Sequence, residues 1–178
     1  MKGKLIIEEY IDKKEEYGIL YVRAPHTSSG TITSFALKSF DFKKLPEEIN
    51  FSKINKKTRY INLNAYITKD IVNLFDQISS DINGFYFGRF DIKANSVIDI
   101  INGDFKIIEL NGIGSVPLHL YDPHNSLQYC YRFYKEHYDM ALQIANTNKI
   151  EQKIRPMKPG VLLKTVFNTY LNFSTYYS

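Results

Sequence analysis

The chain of 178 residues has one cysteine, Cys130, and no tryptophan. A lone thiol excludes an internal disulfide, so a small secreted scaffold is ruled out and a reducing, cytoplasmic setting is expected. No apolar stretch reaches the roughly 20 residues needed to span a bilayer. The nearest, "VLLKTVFNTYLNFSTYYS" at the C-terminus, is broken by Lys164 and by several Asn, Thr and Ser residues, and it reads as a helix and tail. The opening "MKGKLIIEEY" lacks the apolar segment and small-residue cleavage site of a signal peptide. Charge of one sign is also scarce. Lys and Arg number 23 against 19 Asp and Glu, a net +4, too small an excess to mark a nucleic-acid binder by itself. Glycine motifs of the Walker or dinucleotide type are missing. The four histidines, His26, His119, His124 and His137, lack zinc spacing. His119 and His124 read as loop or surface residues, and no serine sits in a nucleophile motif.

What is present fits one domain, residues 1–150, with a C-terminal helix and tail at 151–178. "KLIIEEYI" reads as a strand running into a turn, "GILYVR" and "TITSFALKSF" as further strands, with connections short enough for antiparallel neighbours. Residues 41–64 read as an irregular, basic surface excursion. Ile71, Leu74, Phe75, Ile78 and Ile82 recur at helical spacing, with Thr68 as cap and Asn83-Gly84 as stop. Strand "FYFGRFDI" follows, then a connector able to hold a short helix, then strand "FKIIELN". Asn125 with Gln128 forms a candidate capping box for a long helix. Leu127, Cys130, Tyr131, Tyr134, Tyr138, Leu142 and Ala145 are expected to form its buried stripe. The fold class is α+β, an antiparallel sheet with packed helices.

Two of these strands end in charge. Residues two apart share a strand face, so Arg89 and Asp91 point one way, and Glu109 and Asn111 share a face continuing from Phe105 and Ile107. If the strands are antiparallel neighbours, the four side chains can converge. Two carboxylates and an amide oxygen are hard donors suited to Mg²⁺, and Arg89 presents a planar fork suited to phosphate. The competing reading is a structural ion pair at the rim of a sheet.

In the order "GFYFGRFDI", "FKIIELNGIGS" and "LHLYDP", the chain resembles the ATP-grasp superfamily. The likeness is to carboxylate–amine ligases, the group that includes D-alanine–D-alanine ligase, and only to their C-terminal half. It implies that Asp91, Glu109 and Asn111 hold Mg²⁺. Arg89 would contact the transferred phosphoryl group, and Gly114 would offer a backbone N–H to the oxyanion. Lys38 would reach the ATP phosphates. Glu8, Glu9, Tyr10 and Ile11 would form the hinge that holds adenine, and Glu16 (or Glu15) would hold the ribose. The implied reaction joins a carboxylate and an amine through an acyl-phosphate at the expense of ATP. Two departures stand against it. Ser115-Val116-Pro117 replaces a Ser-Glu-Pro of relatives, and no counterpart of the family's N-terminal, ATP-clamping half is seen. That half is expected from a separate chain, with no nucleic acid or membrane as partner. The alternative is a non-catalytic remnant that binds nucleotide or a partner protein. A nucleic-acid-binding domain is the weakest reading, because the aromatics fall at core spacing instead of alternating with the basic residues.

Overall fold

Alternation along "EEYGILYV" sets the architecture. Tyr17, Ile19 and Tyr21 are fully buried on one side of the strand, while Glu16 and Gly18 point to the other. A computed structural model describes residues 7–40, 58–122, 124–155 and 157–176. Its strands are β1 (Glu15–Val22), β2 (Thr31–Phe40), β3 (Thr58–Asn62), β4 (Phe87–Ala94) and β5 (Lys106–Asn111). They form one sheet in the order β3-β2-β1-β4-β5, with every neighbouring pair antiparallel. The helices are α1 (Lys69–Ser80), α2 (Val97–Ile101), α3 (Leu127–Glu151) and α4 (Pro159–Tyr176). The α+β class and the antiparallel sheet expected from the sequence are both found.

One face of the sheet carries the main core. Tyr17, Ile19, Tyr21, Phe35, Phe90 and Ile92 pack there with Ile71 and Phe75 of α1 and Ile100 of α2. Phe75 meets Phe90 at 5.2 Å and Phe105 at 5.6 Å between ring centroids. Each large side chain buried there contributes about 2–3 kcal/mol of transfer free energy. Helix α1 starts where expected, because the Thr68 hydroxyl accepts from the Ile71 N–H. Gly84, at φ +77°, supplies the left-handed residue after the helix.

The opposite face divides into two parts. At its Val22 and Phe87 end, Ala141, Met140 and Ile144 of α3 cover it and form a second, smaller core. A 3₁₀ turn, Leu118–Tyr121, also lies against β2 and β3 on this side. The rest of the face is polar. The chain divides into two compact units, up to Ile144 and from Ala145 onward, so the division falls within α3.

Four sequence expectations change. First, of the supposed opening strand, residues 4–11, residues 4–6 lie outside the described residues and Ile7–Ile11 has no regular structure; β1 begins at Glu15. Second, Thr58–Asn62, assigned to the irregular excursion, is the edge strand β3; residues 41–57 lie outside the described residues. Third, Asn125 does not cap α3. Its amide donates to the His119 carbonyl, and Ser126 Oγ accepts from the Tyr129 N–H instead. Fourth, the buried side of α3 is not the expected stripe. His137 and Ala141 are buried, whereas Leu127, Tyr131, Tyr138 and Leu142 are exposed.

Candidate functional site

The strand register answers whether the four polar residues converge. Asp91 stands directly opposite Glu109 and Arg89 directly opposite Asn111. Directly opposed side chains share a face, with Cβ atoms about 5 Å apart. A register shift between Asp91 and Ile92 produces this pairing. Ile92 pairs with Ile107, which leaves Ile108 as the extra residue of a bulge on β5. Ile107 therefore sides with Ile92 and the core, and the expected continuity from Phe105 and Ile107 to Glu109 is broken at the bulge.

Neighbouring strands extend the same row. Asp91 pairs with Gly18 on its other side, and Glu16 pairs with both Lys93 and Lys38. Lys38 in turn pairs with Tyr60 of β3. Glu16, Lys38, Arg89, Asp91, Glu109 and Asn111 thus lie on one face. Glu15 lies on the other, where it accepts a hydrogen bond from the buried Tyr17 hydroxyl. Of Glu15 and Glu16, only Glu16 shares the polar face.

Asp91 is the most tightly held of the group. Arg89 donates to it through both Nε (2.6 Å to Oδ1) and Nη2 (2.9 Å to Oδ2), a bidentate fork. Asn111 Nδ2 adds a third bond to Oδ2 at 3.1 Å, and Asp91 is only 5% exposed. Burial pushes the Arg89 guanidinium toward lower pKa, but the Asp91 hydrogen bonds and the charges of Asp91 and Glu109 more than offset it, so the group is held above its ordinary value. The remaining arginine arm, Nη1, donates to the Val116 carbonyl at 3.0 Å. The Val116 backbone thus anchors the arginine. Glu109 itself is exposed.

Lys38 Nζ reaches Glu16 at 2.6 Å, and both side chains are partly exposed. Gly114 lies in an exposed turn closed by the Ser115 N–H donating to the Gly112 carbonyl at 2.9 Å. A Cβ added at Gly114 would meet nothing within 4 Å. Glu8, Glu9, Tyr10 and Ile11, the residues expected to form a hinge, line with Asp12 and Lys13 a cavity of about 640 Å³ against Lys106, Ile107 and Ile108 of β5. Tyr10 sits beneath Lys93 Nζ at 5.7 Å from the ring centroid, and Lys13 is tied to Asp104 at 2.6 Å.

Among the described residues, no group of three or more His, Cys, Asp or Glu side chains is placed to hold a metal ion. Asp91 and Glu109 make two carboxylates, and the third oxygen donor is the Asn111 amide. Its nitrogen faces Asp91, which leaves Oδ1 as the atom it can offer. The chemistry of that set suits Mg²⁺, provided Arg89 releases at least one Asp91 oxygen.

His119, read from the sequence as a loop or surface residue, is instead part of the core, and His137, to which the sequence assigned no place, is buried as well. His119 is fully buried, with Nδ1 at 2.6 Å from Ser34 Oγ and Nε2 at 3.2 Å from Tyr129 Oη. His137 is buried against Phe87 at 4.5 Å between rings, and among the described residues neither ring nitrogen has a hydrogen-bond partner. Burial lowers the pKa of each to about 4, and for His137 the His119 charge adds to the effect. Tyr60, which no motif marked, stands beside Lys38 and packs on Tyr121 at 5.3 Å.

Compared with known proteins, the chain matches no family model, no curated protein and no solved structure. Among the described residues, no helix is long and apolar enough to cross a membrane.

Proposed function

We propose that the polar sheet face is a Mg-ATP site and that the chain is the C-terminal, nucleotide-binding part of an ATP-dependent carboxylate–amine ligase. The observation that carries this reading is the register of β4 and β5. It sets Asp91 against Glu109 and Arg89 against Asn111, on the face that also bears Lys38 and Glu16. Asp91, Glu109 and Asn111 would hold the cation, whose contribution when bound is to neutralise phosphate charge. Arg89 would move from the Asp91 carboxylate to a phosphoryl oxygen, where its fork fits. Lys38 would exchange Glu16 for a phosphate, freeing Glu16 to accept from ribose hydroxyls. The hinge cavity is roomy enough for a base, since ligand pockets run to about 300–1,000 Å³. The reaction would transfer the γ-phosphoryl group of ATP to a carboxylate. An amine would then displace phosphate from the acyl-phosphate to give an amide. The other ATP-clamping half would lie outside these residues.

A second reading has its own observation. The bidentate Arg89–Asp91 pair, reinforced by Asn111, is what a structural ion pair would look like, and it supports a remnant that keeps the fold without turnover. A melting experiment separates the two. ATP with Mg²⁺ should raise the melting temperature of the wild type, because binding to the folded state alone stabilises it. The rise should vanish in Asp91→Asn and Glu109→Gln. No rise at millimolar ATP leaves the structural reading standing.

A further inference from the structure

Charge is not spread evenly along the chain. Lys and Arg number 23 against 19 Asp and Glu. Four of the cations, Lys153, Arg155, Lys158 and Lys164, fall in residues 152–178, a stretch with no Asp or Glu. With those four set aside the two counts are equal, so the whole net +4 sits in this one segment. Asymmetry of this kind points to an acidic partner, either nucleic acid or a membrane surface.

Helix α4 lies in the same segment, and it is two-sided. At about 100° per residue, Leu162, Leu163, Val166 and Phe167 fall within one arc of about 140°. Lys164, Thr165, Asn168 and Thr169 fill the arc opposite, and only Val161, in the first turn, falls with them. Leu162, Leu163, Val166 and Phe167 are 51%, 69%, 58% and 61% exposed, and every other described side chain of the helix is exposed too. Helices owe most of their stability to packing an apolar face, and here that face is uncovered. The Thr165 and Thr169 hydroxyls donate to the Val161 and Thr165 carbonyls, both at 2.9 Å, so the polar arc meets part of its hydrogen bonding without water. Nucleic acid would answer the cations, but its phosphates cover no leucine or phenylalanine. An anionic bilayer answers both. We propose that α4 and the basic stretch before it dock flat on an anionic lipid surface. Leu162, Leu163, Val166 and Phe167 enter the boundary between headgroups and acyl chains, and Lys153, Arg155 and Lys158 meet the lipid phosphates. Lys164, one turn from Phe167, keeps its ammonium at the headgroups while its stem lies along the apolar arc. The sequence led to no expectation of a membrane partner, but an interfacial helix lies in the plane of the bilayer and need not span it. Nothing here depends on the ATP reading.

Flotation of the full chain with vesicles reads the result directly. One set is phosphatidylcholine alone, and the other carries about 30% phosphatidylserine. The chain should float with the anionic vesicles and bind the neutral ones at least about 10-fold more weakly. Each cation near the surface is worth about fivefold, so Lys153→Gln with Lys158→Gln should weaken binding about 25-fold. Leu163→Asp with Phe167→Asp should abolish it. All four positions are exposed, so an unchanged melting temperature should confirm the fold. Orientation is read by tryptophan, which the chain lacks. Phe167→Trp should shift its emission to the blue when anionic vesicles are added, and Asn168→Trp, on the polar arc, should not. A wild type that ignores anionic vesicles, or binds neutral ones equally well, overturns the proposal. So does full binding by the double aspartate variant, or a blue shift at Asn168→Trp with none at Phe167→Trp. A chain that binds a single-stranded oligonucleotide but no vesicle overturns it in favour of nucleic acid.

Discussion

Asp91 and Glu109 face each other across the β4–β5 ladder, one nearly buried and one exposed. The two carboxylates are therefore not equivalent. Asp91 is held by three hydrogen bonds, whereas Glu109 stands at the open side of the same row. Structural work falls mainly on the first and the proposed ligand contact mainly on the second, and substitutions can separate them.

Asp91→Ala removes the partner of a guanidinium that is largely withdrawn from water. An uncompensated buried charge costs about 3–5 kcal/mol, so urea unfolding should show a loss of about 3 kcal/mol. The double variant Arg89→Met with Asp91→Leu should recover most of it, since apolar replacement of a whole pair is often neutral. Glu109→Gln should leave stability within about 0.5 kcal/mol of wild type. A Glu109→Gln as destabilised as Asp91→Ala would contradict this division.

Gly88 permits the close approach of β4 and β5. A Cβ there would lie 2.3 Å from the Asn111 backbone carbonyl oxygen and 2.5 Å from the Phe85 ring. Gly88→Ala should therefore cost about 1–3 kcal/mol and shift β5 beside the site, abolishing the nucleotide-dependent rise in melting temperature. Gly114→Ala, with open space around its Cβ position, should leave stability nearly unchanged.

The buried histidines make the fold acid-sensitive. In the unfolded chain each titrates near 6.5, and in the fold each is depressed to about 4. Between those values the unfolded state binds more protons, so stability rises with pH there and is lost as pH falls from about 6.5 toward 4. Each histidine should contribute on the order of 2–3 kcal/mol to that loss. His137, with no hydrogen-bond partner for either ring nitrogen among the described residues, is the better target. Chemical denaturation of His137→Phe at pH 7 and pH 4.5 should show a smaller drop than wild type; an identical drop would exclude His137 as a source.

Lys153 occupies the left-handed region at φ +52°, just beyond the end of α3. A helix commonly ends on such a residue, and glycine adopts it without a Cβ penalty. Lys153→Gly should raise stability by about 1 kcal/mol in thermal unfolding. A loss would mean that the lysine side chain offsets its own backbone cost.

The strands β1, β2, β4 and β5 were legible because each is a short run rich in β-branched and aromatic residues, and α1 because its apolar spacing and Thr68 agree. The register of β4 on β5 was not. The Asn95–Asp104 connector leaves it free, and the bulge at Ile108 answers to a partner strand that local sequence does not specify. Helix α3 was misassigned for a different reason. Tyr131, Tyr138 and Leu142 make as regular an apolar stripe as Phe133, His137 and Ala141, and periodicity cannot say which one meets the sheet. A buried histidine likewise has no sequence mark. His119 becomes a core residue only because the 3₁₀ turn brings it to Ser34 and Tyr129. The polar residues themselves, Arg89, Asp91, Glu109 and Asn111, were found by type and spacing, but their meeting depended on the register.

The central claim is that the polar face binds a divalent cation together with nucleotide, through Glu109. Titration of Mn²⁺, a spectroscopic substitute for Mg²⁺, in the presence of ATP reads it most directly when free Mn²⁺ is followed by electron paramagnetic resonance. Wild type should retain Mn²⁺ beyond what ATP alone sequesters, and Glu109→Gln, folded to the same stability, should not. Equal retention by the two proteins, or none by either, would contradict it.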